Sequence, residues 1–341
     1  MLEPRSSFVA TDAVRLHYLE WNPVASSVAQ AEEQWKPDNV ETLSAINEQS
    51  NDNDAVPLIL LHGLGATADT WRLVANHLGQ QRQVFAFDLR GHGASEQSAD
   101  GYDLITVAED VISGMARLGL GQVALVGHGW GARVALVIAS RHQALISHLI
   151  LIDCPHVEPR HWPGMTRERF IREQMEPEIY VSRARYLQEW QNELDPIWSP
   201  MIEEIVMTYV TLLSDGRLVN LLQAEHQRQI RSSLWDDRAV SYYPRLQCPV
   251  LLIPAASQPI PGEEPPEHLE QAAEFSAAKG QMAAQVARAI PHCSVYWMAE
   301  TAHDIQLQRP QLLADIMLAF LHPLKETFAD ESLTFNTLFL N

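Results

Sequence analysis

The chain has 341 residues, 46% hydrophobic and 20% charged, which is typical of a globular protein. It carries 43 acidic against 24 basic residues, and this net charge of −19 argues against nucleic acid or an anionic membrane as a partner. The three cysteines form no CxxC pair and indicate free thiols in a reducing compartment (Cys154, Cys248, Cys293). Without a basic-then-apolar leader or a run of about 20 apolar residues, the expected location is the cytoplasm.

The first half of the chain predicts alternating strands and helices. Val14–Trp21 alternates apolar and polar residues like a half-buried strand, and residues 22–55 read as a long polar surface insertion. A helical stripe covers Ile105–Leu118, and another helix ends at about Arg141. The remaining strands are continuously apolar: Pro57–Gly63, the start of Gln83–Ser95, the strand beginning at Val123, and Ile146–Pro155. Such strands predict an α/β protein with a mostly parallel sheet covered by helices on both faces.

The second half begins with a change of pattern at residue 156. Residues 156–243 show helical spacing and no strand signal, with "TRERFIREQ" and "IEEIVMTYVTLL" predicted as helices of a cap. The sheet returns at Cys248–Ser257, residues 258–271 are predicted as a second polar insertion, and a helix at Gln311–Phe320 ends the fold. The predicted division is therefore a core of residues 1–155 and 244–341 with a helical cap of residues 156–243.

The stretch "VALVGHGWGARVALVIAS", from Val123 to Ser140, predicts a strand, a glycine-rich turn and a helix. This order is that of a nucleophile elbow, usually G-x-S-x-G, whose third residue attacks the substrate. Gly129 holds that position and has no side chain, although glycine adopts the required positive φ without strain. Gly127 and Gly131 remain available for close packing of strand on helix. The elbow's scaffold is thus predicted to be present without its reactive atom.

Four segments together resemble the α/β-hydrolase family, over roughly residues 12 to 323. They are "LLHGLGATADTW" (Leu60–Trp71), "FDLRGHGAS" (Phe87–Ser95), "VGHGWGA" (Val126–Ala132) and "AHDIQLQRP" (Ala302–Pro310). The resemblance implies the α/β-hydrolase fold and acyl-transfer-type hydrolysis at the carboxyl edge of the sheet, under a helical cap. "GHGWG" is similar both to GHSWG of serine hydrolases and to GHDWG of dehalogenases and epoxide hydrolases, and "HGLG" favours the serine type.

The resemblance also assigns roles to particular residues. The backbone amides of Leu64 and Trp130 are the expected oxyanion-hole donors, which stabilise negative charge developing on a substrate oxygen. His303, on the loop before the final helix, is the expected general base, because the family's chain order of nucleophile, acid and histidine is kept. The other histidines of the motifs are expected to shape loops (His62, His92, His128).

The acid that orients His303 is less obvious. Many relatives carry it after the strand "PVLLI", but this chain continues "PAASQPIP", without a carboxylate. Some members take the acid from the end of the preceding strand, which here ends in Asp153. Asp153 is therefore the first candidate, and Glu263 and Glu264 of the second insertion are weaker ones. Cys154 is not expected to replace the nucleophile, because it lies at a different strand end.

Three functions are compatible with this pattern. The first is an ester or amide hydrolase scaffold with a replaced nucleophile, and the second is a non-catalytic small-molecule binder. The third is an enzyme that uses His303 without a covalent intermediate, in the manner of the cofactor-free dioxygenases and lyases that the chain resembles. The expected partner is an apolar small molecule, and no cofactor or metal is expected; the oligomeric state is open. Four aromatic residues of the cap could line the pocket or hold the cap together (Trp162, Trp190, Trp198, Tyr209).

Overall fold

The computed structural model describes residues 2–23, 56–155, 158–161, 164–172, 179–195, 197–256 and 266–322, with the side chains of 161 and 266–276 left aside. Nearly all of the first predicted insertion lies outside these residues, as do residues 258–265 of the second. The prediction for the rest of the second insertion was wrong: residues 266–271 belong to a helix rather than to a polar loop. A run that contains Pro and several Glu is typical of a loop, yet proline is tolerated in the first turn of a helix.

The strands are numbered in chain order. Their bounds are β1 (Arg5–Ala10), β2 (Arg15–Trp21), β3 (Leu58–Leu61), β4 (Val84–Phe87), β5 (Val123–His128), β6 (Ile146–Ile152), β7 (Ile179–Tyr180), β8 (Val210–Leu212), β9 (Leu218–Asn220), β10 (Val250–Ile253), β11 (Ala255–Ala256), β12 (Cys293–Val295) and β13 (Met298–Ala299). Eight of them form one sheet in the order β1-β2-β4-β3-β5-β6-β10-β12. β1 and β2 pair antiparallel, and from β4 to β12 every neighbouring pair is parallel. The predicted mostly parallel sheet is therefore confirmed.

Helices cover both faces of this sheet. Their bounds are α1 (Arg72–Leu78), α2 (Leu104–Arg117), α3 (Trp130–Arg141), α4 (Arg167–Arg172), α5 (Arg183–Leu194), α6 (Pro200–Met207), α7 (Ala224–Asp236), α8 (Pro266–Ala289), α9 (Ile305–Gln308) and α10 (Pro310–Leu321). α2 and α3 pack in one hydrophobic cluster and α1 and α10 in another, each sharing buried residues with the central strands. Among the described helices, none combines the length and the apolar character that crossing a bilayer requires.

The burial of each strand explains whether it could be predicted from the sequence pattern. All four residues of β3, LILL, are buried, as are all of β4, β5 and β10. A strand buried on both sides needs an unbroken apolar run, and such runs are easy to read. β1 is different, because it lies at the edge of the sheet and only Val9 is buried. Its sequence RSSFVA lacks an apolar run, and β1 was not predicted.

The segment between β6 and β10 corrects the expectation that it contains helices alone. β7, β9 and β8 form a small antiparallel sheet in that order, and α6 ends at Met207, so the end of "IEEIVMTYVTLL" is strand. The hairpin turn carries Asp215-Gly216, with Gly216 at φ 86°, and the Leu213 N–H donates to Arg217 O at 2.8 Å. Asp-Gly between apolar residues is a strong hairpin signal, and helical periodicity had obscured it.

Aromatic side chains of this segment pack together. Trp190, Trp198 and Tyr209 share a hydrophobic cluster that also includes Leu307 of α9. The rings of Trp190 and Tyr209 lie 5.9 Å apart at 67°, an edge-on contact. These contacts indicate that the three residues hold this segment together rather than line a ligand pocket. Trp162, the fourth residue of the predicted set, lies outside the described residues.

The first prediction concerns the contact of β5 with α3. A Cβ added to Gly127 would lie 2.5 Å from Ala132 Cα and closer still to the Gly131 carbonyl oxygen. Both obstacles are backbone, so Gly127→Ala must separate strand from helix, and we expect it to lower the free energy of unfolding by about 3 kcal/mol. Gly121→Ala is the matched control, because its Cβ meets nothing within 4 Å. Urea unfolding of both variants tests this prediction. Equal urea midpoints would contradict it, because they would show that β5 and α3 can move apart without loss of stability.

Candidate active site

Gly129 occupies the turn between β5 and α3. Its backbone has φ 52° and ψ −117°, and its N–H donates to Ile152 O at 3.0 Å, which ties the turn to the end of β6. The predicted strand-to-helix position with positive φ is confirmed. Any residue other than glycine would have a strained backbone here, as the nucleophile in this kind of turn does.

The predicted contact between Asp153 and His303 is present. His303 Nδ1 donates to Asp153 Oδ2 at 2.7 Å, although the two residues are 150 positions apart in the chain. Asp153 directly follows β6, with φ 48° and a side chain only 4% exposed. Aspartate is among the few residues that adopt this left-handed conformation without a large penalty. The alternative acids, Glu263 and Glu264, lie outside the described residues.

The other side of the His303 ring faces the position where a nucleophile would be. A Cβ built on Gly129 would lie 3.2 Å from His303 Nε2 and 3.8 Å from Gly63 Cα. Within the described part of the chain no hydrogen-bond partner of Nε2 is seen, and the His303 side chain is 55% exposed. The imidazole is thus oriented by a buried carboxylate on one side and open to a reactant on the other.

The surroundings of His303 favour its protonated form. The protein atoms around the partly exposed ring displace water and oppose this, but the hydrogen bond to Asp153 and the negative charges of Asp153 and Asp304 together raise the pKa of His303 above the ordinary value of 6.5. A general base must be neutral, so activity that depends on His303 should increase as the pH rises through this raised pKa. Stability depends on pH in the opposite direction. The His303–Asp153 pair contributes its full stabilisation below pH 6.5, and this contribution is lost as the pH rises through the raised pKa of His303.

Three other histidines support the loops of the site, as predicted. The N–H of His128 Nε2 donates to the His303 carbonyl at 2.9 Å, and burial followed by the charge of His303 lowers the pKa of His128 to about 4. His92 Nε2 accepts from the Gly65 N–H at 3.2 Å, which holds the HGLG turn. His62 Nε2 accepts from the Leu89 N–H at 3.0 Å. All three bind backbone groups, and none takes the place of His303.

The two residues expected to be oxyanion donors each adjoin, in the chain, a residue of this position. Leu64 follows Gly63, whose Cα lies 3.8 Å from the Cβ position of residue 129. Trp130 is the first residue of α3, and the first N–H groups of a helix have no acceptor within that helix. The Trp130 ring stacks on His92 with centroids 5.1 Å apart, which fixes the start of the helix. Their role as donors to a substrate oxygen remains a prediction.

Cys154 does not supply a substitute nucleophile. Burial raises the pKa of its thiol to about 12, so the reactive thiolate is essentially absent near neutral pH. Throughout the described residues, no group of three or more histidine, cysteine or acidic side chains is arranged to hold a metal ion. The groups that the structure places around residue 129 are the His303 imidazole and, behind it, the Asp153 carboxylate.

Two features of the structure were not predicted. Lys279 Nζ lies 2.7 Å from Asp153 Oδ1, and no sequence motif marks this lysine. Near the antiparallel edge of the sheet, a serine, a histidine and an aspartate are linked by hydrogen bonds: Ser6 Oγ is 2.8 Å from His17 Nε2, and His17 Nδ1 is 2.7 Å from Asp88 Oδ2. Asp88 also accepts the backbone N–H groups that follow β3 and β4, which indicates a role in holding loops.

The fold agrees with the comparison to known families. The profile of the α/β hydrolase fold family matches residues 56–253, and the chain belongs to that family. In overall fold it is similar to E-2-(acetamidomethylene)succinate hydrolase, with a TM-score of 0.67 and 17% identity over 94% of this chain and 99% of that one.

Curated relatives match a shorter region. A soluble epoxide hydrolase of Corynebacterium sp. (strain C12) is 40% identical over 97 residues, which are 28% of this chain and 34% of that protein. An N-formylmaleamate deformylase of Pseudomonas putida is 36% identical over 99 residues, 29% of this chain and 37% of that protein. The matched region thus spans about a third of the length of these relatives.

Proposed function

We propose that this protein is an ester or amide hydrolase in which His303 activates a water molecule directly, without a covalent intermediate. One observation supports this above all: the buried Asp153 carboxylate orients His303 at 2.7 Å, while Nε2 faces the position left open by Gly129. A water molecule or a substrate group can occupy the place where a serine hydroxyl would otherwise be. The names of the relatives, hydrolases and a deformylase, support a reaction in which water is consumed.

The proposed reaction uses groups that border the site. His303 Nε2 takes a proton from water while the water oxygen bonds to the carbonyl carbon. The resulting oxyanion accepts hydrogen bonds from the amides of Leu64 and Trp130. The tetrahedral intermediate then collapses, the bond to the leaving group breaks, and His303 returns its proton to that group. Carboxylic acid and alcohol or amine are the products, and Asp153 stabilises the transient imidazolium throughout.

A non-catalytic binder is the second candidate, and Gly129 itself favours it. A binder has no use for an activated nucleophile, and glycine at φ 52° removes the strain that a side chain would carry. However, a binder equally has no need for a buried aspartate at φ 48° that holds an exposed imidazole. We therefore place direct hydrolysis first.

Steady-state and presteady-state assays test this proposal. We expect slow hydrolysis of p-nitrophenyl acetate and butyrate without a burst of p-nitrophenol, because no acyl-enzyme accumulates. A fluorophosphonate probe should leave the protein unlabelled. The assays should include Ser6→Ala, because the Ser6 hydroxyl also lies beside a histidine and could react on its own.

Each outcome separates the candidates. Hydrolysis that disappears in His303→Gln and persists in Ser6→Ala supports water activation by His303. No hydrolysis by the unaltered protein, together with saturable binding of the esters, would favour the binder. A burst in the Ser6→Ala background would contradict a mechanism without a covalent intermediate. Oxygen uptake during turnover would indicate the oxygenase-type use of the same base.

A further inference from the structure

A lysine contacts the acid of the site from the side opposite to His303. Lys279 of α8 places Nζ 2.7 Å from Asp153 Oδ1, and the Ala255 N–H donates to the same oxygen at 2.9 Å. The Lys279 side chain is 15% exposed and that of Asp153 only 4%. Because Oδ2 receives His303, both carboxylate oxygens are bound by donors and the carboxylate cannot rotate freely.

The strand order explains this arrangement. β6 and β10 are neighbours, with Ile152 opposite Ile253, so the residues that follow them lie side by side at the carboxyl edge. The stretch after β10 has no carboxylate, and it donates the Ala255 N–H to the acid that follows β6. α8 then brings a positive charge to the same carboxylate. The stretch in which many relatives carry the acid thus supplies one hydrogen-bond donor to the acid here.

A positive charge at this place changes the base as well as the acid. Asp153 attracts the His303 proton, and an ammonium group bound to Asp153 reduces that attraction and repels the imidazolium. The other charged or titratable groups that face His303 are its neighbour Asp304, His128 at the end of β5, and Glu193 of α5. Among the described groups named here, Lys279 is the one that brings a positive charge close to both Asp153 and His303.

We propose that Lys279 is a positioning residue that fixes the Asp153 carboxylate and keeps His303 neutral, and therefore competent as a base, at lower pH. Its catalytic meaning rests on the proposed function. The electrostatic effect on His303 does not, and it can be measured in the resting protein.

The test compares three variants in the full chain. Lys279→Met removes the charge, Lys279→Arg keeps it, and Arg288→Met removes an equal charge nine residues further along the same helix, about 13 Å away. The primary measurement is the His303 pKa, from an NMR titration of histidine Cε1–H signals assigned with His303→Gln. The second is the pH profile of ester hydrolysis.

We expect Lys279→Met to move the His303 titration upward by about one pH unit, and Lys279→Arg and Arg288→Met to leave it nearly unchanged. At pH values below the His303 pKa of the unaltered protein, the rate of ester hydrolysis should be up to about tenfold lower in Lys279→Met than in the unaltered protein. An unchanged titration in Lys279→Met would overturn the proposal. A shifted titration in a protein without any hydrolysis would support it and contradict the proposed function instead. Lys279→Gln, which keeps a hydrogen-bond donor, decides the matter should Lys279→Met fail to fold.

Discussion

Gly129→Ser should create a covalent esterase. The serine Cβ would lie 3.2 Å from His303 Nε2, a contact so tight that the imidazole must move away by a few tenths of an ångström. The hydroxyl carried by that Cβ is then within hydrogen-bond reach of Nε2. Asp153 already orients that imidazole, and the amides of Leu64 and Trp130 are the donors predicted for the oxyanion. We expect fluorophosphonate labelling at residue 129, a burst of p-nitrophenol, and a gain in kcat/KM on the order of 10²–10⁴.

Gly129→Ala provides the matched control for this variant. Alanine introduces the same Cβ at φ 52° without a hydroxyl, so both variants should lose about 1–3 kcal/mol of stability and only serine should gain reactivity. A folded Gly129→Ser that stays unlabelled and inactive on short and long acyl chains would contradict a serine-type site. Gly129→Asp on epoxides and haloalkanes would then test the alternative that "GHDWG" implies.

His303→Gln should lower the proposed hydrolysis of the unaltered protein by a factor of about 10²–10⁴, because glutamine cannot accept the proton of the attacking water. In the unaltered protein, the acidic side of the pH profile should have its midpoint above pH 6.5, since the Asp153 contact raises the pKa of His303 against the effect of burial. Rates of p-nitrophenyl ester hydrolysis between pH 5 and pH 9 measure both effects.

A second histidine variant controls for His303→Gln. His77 lies in the last turn of α1, and His77→Gln should leave both rate and profile unchanged. If His303→Gln hydrolyses esters at the original rate, the activity arises elsewhere, and the Ser6–His17–Asp88 chain becomes the first place to look.

The sequence by itself determined the elements whose signals are local. Strands buried on both sides require unbroken apolar runs, so β3, β5 and β10 were predictable. The elbow was equally readable, because the turn needs glycines at fixed spacing, and Gly129 marked the missing side chain directly. The resemblance to the α/β-hydrolase family, together with the missing carboxylate after β10, also predicted the contact of Asp153 with His303 that the structure shows.

Only the tertiary structure decided which distant side chains meet. Lys279 carries no motif, and its contact with Asp153 depends on the path of α8 after β10. The contact of Ser6 with His17 likewise depends on an edge strand whose pattern is too polar to recognise. Periodicity records which face of an element is buried and says nothing about the charge that a neighbouring element brings to it. The electrostatics of the base therefore follow from packing between segments far apart in the chain.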